Sequence, residues 1–238
     1  MGAIDAAIFD MDGLVLDTER QCYEAYLRAA RHFGFQMNDR VQMSLAGRTE
    51  CAVMAGLRRI YGQDANVASW RRYILEQKDV VLREHGGRAG KKAGLLELLN
   101  YLAERGMPYA LASSSSREQV ERLLASEWLG HAFPVRVTGD MVTRSKPDPE
   151  IFLSAASLLG ADPSRCLVLE DSAAGLDAAV SGGFVPVFVY DDLSDEETCD
   201  GGTMIRVPLD DPRSVGSLAR FAPKNLADVI DLIEGLNA

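Results

Sequence analysis

The stretch IFDMDGLVLDTE, residues 8–19, sets an apolar run against a cluster of acidic side chains. The chain is apolar up to Phe9. Asp10 and Asp12 follow, two apart, then Gly13, then Asp17 and Glu19. Carboxylates this close repel one another unless something positive sits among them. In extended chain, residues i and i+2 point to the same side, so Asp10 and Asp12 can face one site. Asp-Gly is also ordinary turn chemistry, so this stretch alone leaves a turn and a site both open.

Working outward, IDAAIF (4–9) reads as a short buried strand. From about 18 to 85 the apolar spacing becomes helical, as in ERQCYEAYLRAARHFGF, with Tyr23, Tyr26, Leu27, Ala30 and Phe33 on one stripe. After GGRAGKKAG the pattern alternates. Helical segments near 94–105, 116–127, 149–159 and 173–182 lead to the apolar runs PYALA (108–112), VRVT (135–138), CLVLE (166–170) and VPVFVY (185–190). Such alternation predicts a doubly wound α/β core with a parallel sheet, its short apolar strands buried on both faces. Pro186 predicts an end or edge position for the last strand. The predicted core is residues 1–16 and 92–238, with a smaller helical domain, 17–91, inserted after the first strand. DDLSDEETCDGG (191–202) reads as a solvated acidic loop, and NLADVIDLIEGL as a closing amphipathic helix.

The chain has 238 residues and a formal net charge of −10. An acidic balance argues against non-specific nucleic-acid binding and against anionic membranes. An anionic substrate would need a local positive site. No apolar run approaches the roughly 20 residues of a membrane span, and no signal peptide is evident. The four cysteines are scattered, with no C-x-x-C pair. These features predict a cytoplasmic protein with free thiols.

Ligands of doubly wound sheets bind outside the carboxyl ends of the strands. Those ends carry DMDG (10–13), SSSS (113–116), the segment with Lys146, and EDSAAG (170–175). Glu170 and Asp171 add a second acidic pair, which together with the first fits a hard cation with oxygen ligands, magnesium by default. Lys146, Ser113 and the N–H groups after it suit phosphate oxygens.

These residues resemble the haloacid dehalogenase superfamily over essentially the whole chain. DMDGLVLDTE is similar to its first motif, ALASS (110–114) to its second, KPDPEIF (146–152) to its third and LEDSAAGLDAA (169–179) to its fourth. The insert resembles the helical cap of the subgroup containing β-phosphoglucomutase and many metabolite phosphatases. The resemblance implies Asp10 as nucleophile and Asp12 as general acid and base. It implies Ser113 and Lys146 on the phosphoryl oxygens, with Ser114 beside the substrate. Magnesium would lie on Asp10, the Asp12 backbone carbonyl, Asp171 and Glu170. Arg48 and Lys78 in the cap, with Thr18 and Glu19 after the hinge, are the expected substrate contacts. The mutase pattern carries a histidine where Cys22 stands. The expected activity is therefore magnesium-dependent hydrolysis of a small phosphorylated metabolite, with a β-phosphoglucomutase-type mutase as the alternative. A receiver domain shares the aspartate, metal, hydroxyl and lysine, but has no long helical insert. Oligomeric state is not legible.

Overall fold

The computed structural model describes residues 3–48, 50–190, 193, 196–209 and 219–238. Its centre is a parallel sheet of β1 (Ala6–Phe9), β2 (Tyr109–Ser113), β3 (Val135–Thr138), β4 (Cys166–Glu170) and β5 (Val185–Phe188). The strand order is β3-β2-β1-β4-β5. The order reverses at β1, so β1 ends between β2 and β4 at the switch point where open sheets bind ligands.

Alternate residues of each strand face opposite layers. Ala7 and Phe9 pack with Leu111, Leu167, Leu169 and Val187 under α5 (Leu95–Glu104), α6 (Arg117–Ser126) and α9 (Asp228–Asn237). Ala6 and Ile8 pack with Ala110, Ala112, Val137 and Val168 under α7 (Glu150–Leu159) and α8 (Ala173–Ser181). Burial on both faces explains why the strands read as continuous apolar runs. Pro186 lies in β5, an edge strand of this sheet, as its missing N–H requires.

The insert folds as α1 (Thr18–Phe33), α2 (Asp39–Leu45), α3 (Glu50–Tyr61) and α4 (Val67–Glu84). It has its own core, in which Phe35 stacks on Trp70 at 4.2 Å beside Tyr61. Gly34 ends α1 in the left-handed conformation, and the Asn38 side chain accepts from Val41 N to start α2. Two chain segments join cap and core. They pair through Asp17 N to Gly90 O (3.1 Å) and Lys92 N to Val15 O (3.1 Å).

The acidic segment at 191–202, where described, is a largely exposed loop, as expected, but it is tied to the cap at specific points. Leu193 is buried in the cap core, and Cys199 exchanges both backbone hydrogen bonds with Met37 at 2.7 and 2.9 Å. Thr203 N donates to Gly34 O, and Gln36 N donates to Thr203 O. Glu196 and Glu197 pair with Arg20 and Arg31 of α1, so their charges meet cations rather than water alone. Asp191, Asp192, Ser194 and Asp195 lie outside the described residues.

Candidate active site

Asp10 follows β1 and is anchored by its own N–H, which donates to Leu169 O at 3.0 Å. Its carboxylate accepts from Lys146 Nζ. Lys146 also donates to Glu170 Oε1 at 2.6 Å and approaches Ala112 O at 3.4 Å, with Phe152 beneath its ammonium at 4.7 Å. Burial alone would lower the lysine, but the Asp10 and Glu170 charges carry it above its ordinary value. Burial pushes the Asp10 carboxyl up to about 8; Lys146 pulls against that, and the Glu170 and Asp12 charges add to it.

Asp12 is held from three sides. Thr18 Oγ1 donates to Oδ1 at 2.9 Å; Ser115 Oγ at 3.0 Å and Ser113 Oγ at 3.4 Å reach Oδ2. The loop between them has Gly13 at φ 80, where an added Cβ would lie 2.0 Å from Asp171 Oδ2. Only glycine lets the first loop close against that carboxylate.

Oxygens of Asp10, Glu170 and Asp171 lie within 4.8 Å of one another, all three side chains buried. An all-oxygen donor set of buried, mutually repelling carboxylates fits a hard divalent cation. Glu170 has its own work within the cluster. Its Oε2 accepts from Asp171 N (3.1 Å), Ser172 N (3.0 Å) and Ser172 Oγ (2.9 Å), while Oε1 holds Lys146.

Above these groups, a cleft of about 690 Å³, open to solvent, separates core from cap. Asp12, Thr18, Ser114 and Ser115 line its floor; Glu19, Cys22, Gln42, Arg48, Arg71 and Lys78 line its cap side. The sequence-predicted Thr18, Glu19, Arg48, Lys78 and Ser114 thus all reach one cleft. The four residues Asp10, Ser113, Lys146 and Glu170 cluster at the strand ends beside it, where they are buried. Three cations, Arg48, Arg71 and Lys78, share this cleft.

Ser115, Gln119, Arg122 and Arg71 also line this region and escaped the sequence reading. Arg71 stands seven residues before Lys78 on α4, two turns away on one face, and that spacing is the signal that could have found it. It grips Glu50 through Nε and Nη2, the shortest contact being 2.8 Å, and donates to Tyr26 Oη at 3.0 Å. Lys78 lies above its ordinary value: Cys22, in the alkaline range where it would ionise, raises it first, against burial, and the Glu19 and Asp12 charges reinforce it. Cys22 itself is buried, which pushes its thiol up. None of the three histidines lines the cleft: His32 stacks on Tyr73, His85 meets Glu24, and His131 lies by Phe133.

Comparison with known proteins gives the family. The chain matches the family model described as hydrolase, haloacid dehalogenase-like hydrolase, over residues 4–183. It is 32% identical over 186 residues to the phosphorylated carbohydrates phosphatase of Thermotoga maritima, covering 78% of this chain and 84% of that protein. It is 30% identical over 182 residues to the validoxylamine A 7'-phosphate phosphatase of Streptomyces hygroscopicus subsp. limoneus, covering 74% and 81%. In fold alone it is similar to β-phosphoglucomutase from Clostridium difficile, with a TM-score of 0.73 over 98% of this chain and 97% of that one, at 20% identity. With its Asp10–Gly13 loop at the switch point and a family match across most of its length, the chain belongs to the haloacid dehalogenase-like hydrolases.

Proposed function

We propose that this enzyme hydrolyses a small phosphorylated metabolite, a sugar phosphate or similar monoester, in a magnesium-dependent reaction through an aspartyl phosphate on Asp10. The observation that carries this reading is the convergence of Asp10, Asp12, Ser113 and Lys146 at the strand ends, with Asp12 facing a cleft whose cap side bears Arg48, Arg71 and Lys78. The substrates named for the two relatives, phosphorylated carbohydrates and a 7'-phosphate, support the same class.

Asp10 would attack phosphorus, its carboxylate oxygen forming the new P–O bond as the leaving alkoxide departs. Asp12, oriented by Thr18 and Ser115, would give its proton to that alkoxide and later take one from the attacking water. Lys146 and Ser113 would hold the phosphoryl oxygens and offset their charge. Asp10 and Asp171, with the Asp12 backbone carbonyl, would hold magnesium, while Glu170 mainly fixes Lys146. The bound cation would offset phosphoryl charge and orient that group. Arg48 and Lys78 would read the non-reacting part of the substrate, and Thr18, Glu19 and Ser114 would border it. All four cysteines are free, which suits a reducing, cytoplasmic setting.

The mutase alternative needs a cap that keeps water from the intermediate until a sugar hydroxyl arrives. Cys22 occupies the cleft wall, and a neutral thiol is a weak hydrogen-bond partner. The deciding experiment is a phosphate-release screen over sugar phosphates, nucleotides and phosphoglycolate with magnesium present. One arm offers β-glucose 1-phosphate with a trace of the 1,6-bisphosphate. Release of inorganic phosphate supports hydrolysis. Rapid conversion to glucose 6-phosphate with little free phosphate would establish the mutase instead.

A further inference from the structure

The end of α6 carries a feature that the chemistry above leaves unused. Trp128 sits at φ 56, the one non-glycine residue with positive φ among the described residues. Leu129 N donates to Leu124 O at 2.8 Å, closing a helix end in which Trp128 takes the left-handed position that glycine normally fills. A tryptophan there is strained, and at 78% exposure it gains little from packing. What it does touch is charge. The Arg88 guanidinium lies over its ring at 4.3 Å, and Lys91 Nζ lies at 5.5 Å.

Its neighbour Glu127 grips the same two cations. The Glu127 side chain is fully buried. Its Oε1 accepts from Gly90 N at 3.0 Å and Arg88 Nε at 3.3 Å; its Oε2 accepts from Arg88 Nη2 at 3.0 Å and Lys91 Nζ at 3.3 Å. Its backbone oxygen takes a further bond from Lys91 at 3.1 Å. Arg88, Gly90 and Lys91 form the segment that returns from the cap to the core.

That segment is bonded to the outgoing one. Asp17 N donates to Gly90 O, Lys92 N donates to Val15 O, and the Lys92 ammonium lies 3.6 Å from Asp17 Oδ1. Next to Asp17 is Thr18, which orients Asp12. The other end of α6 is the Ser113–Ser116 loop and Gln119 of the cleft. One helix therefore runs from the phosphoryl-binding loop to the cap hinge. On the cap itself, Gly47 lies so near Ser172 that an added Cβ would come within 2.5 Å of its hydroxyl, so the cap is seated on the core.

We propose that Glu127 and Trp128 are positioning residues that clamp the cap hinge, holding the cap over the substrate. The kinetic consequence rests on the phosphatase reading; the clamp itself does not. The test compares the full chain with Trp128→Gly, which fits the left-handed backbone without strain, and with Glu127→Gln, which keeps shape but removes charge. Hydrogen exchange is followed in peptides covering 13–18 and 88–93, with 166–170 as the internal reference. Both variants should speed exchange at the hinge by about tenfold while β4 stays unchanged. Trp128→Phe, which keeps a ring over the cations, should restore most of the protection. KM for glucose 6-phosphate should rise by roughly fivefold, while kcat on p-nitrophenyl phosphate, a probe too simple to need the cap, stays within about twofold. Hinge exchange unchanged in both variants overturns the clamp. So does an equal rise at the hinge and at β4, which marks general loss of stability. Wild-type protein that releases phosphate from neither probe nor any member of the substrate screen overturns the functional reading, and the exchange data still decide the clamp.

Discussion

Replacing Lys146 with methionine tests whether the site is held together by the charge arrangement described above. The lysine side chain is 2% exposed; its partners Asp10 and Glu170 are 8% and 0% exposed. Removing one member of a buried ionic cluster generally costs about 3–5 kcal/mol, because the remaining charge stays desolvated. Two features place this case at the lower end. Glu170 keeps three donors on Oε2, from Asp171 and Ser172. Asp10, already pushed up to about 8, can take a proton instead of staying charged. The expected loss is therefore about 3 kcal/mol, and Tm should fall by roughly 6–12 °C for a chain of this size. Lys146 itself lies above its ordinary value, so it stays charged through neutral pH and its contribution is lost only at strongly alkaline pH. The pH dependence between about 5 and 8 is then assigned to Asp10. Acid should neutralise it and shrink the difference between variant and wild type. Calorimetry in chelator at about pH 8 and again at about pH 5 makes the comparison. A loss below about 2 °C at the higher pH, or an equal loss at both, would refute the reasoning.

Asp10→Asn should fold and yet lose at least about a thousandfold in turnover, since an amide is a poor nucleophile; steady-state kinetics beside a thermal melt decide this. Because Asp10 is raised in the folded protein, its contribution to stability is complete below about pH 4 and is lost as pH rises through about 8. Metal-free wild type should thus lose Tm relative to Asp10→Asn across that window, and parallel curves would contradict the assignment. Chelation should abolish activity, magnesium should restore it, and calcium, larger and preferring more ligands, should inhibit; full turnover in excess chelator would remove the metal from the reaction. Arg48→Ala should raise KM or change the preferred substrate while sparing kcat on a minimal monoester, and unchanged kcat/KM on every substrate would make Arg48 a solvated cap residue.

The parts of this molecule legible in sequence are those in which local pattern and global burial agree. β1, β2, β4 and β5 are short and apolar because residues such as Ala6 and Ile8 face one layer while Ala7 and Phe9 face the other. The ends of β1, β2 and β4 then drew attention because a buried apolar run stops abruptly at a polar group. The Ser113–Ser116 run shows where this reading loses resolution. Four hydroxyls in a row are equivalent in sequence, and the strand end singles out Ser113. The turn that follows decides the rest. Ser115 N folds back to donate to Ser113 Oγ at 3.1 Å, and that brings the Ser115 hydroxyl, rather than that of Ser114, onto Asp12.

What stayed hidden depends on contacts far apart in the chain. An acidic, glycine-rich stretch reads as solvated because its composition offers nothing to bury. Here its charges find Arg20 and Arg31 more than 160 positions away, and Leu193 enters the cap core. Glu127 is hidden for the same reason, since no local pattern distinguishes a glutamate at a helix end from a solvated one. Its partners arrive from residues 88–91, on the opposite side of β2 in sequence. Trp128 is different in kind. Its neighbours in sequence predict a helix ending, and glycine would satisfy that ending without strain. The strain is visible only in φ, and the compensating contact only in the position of Arg88. A residue that violates a local preference while burying little must be supported by something specific, and here the supported element is the hinge between the two domains.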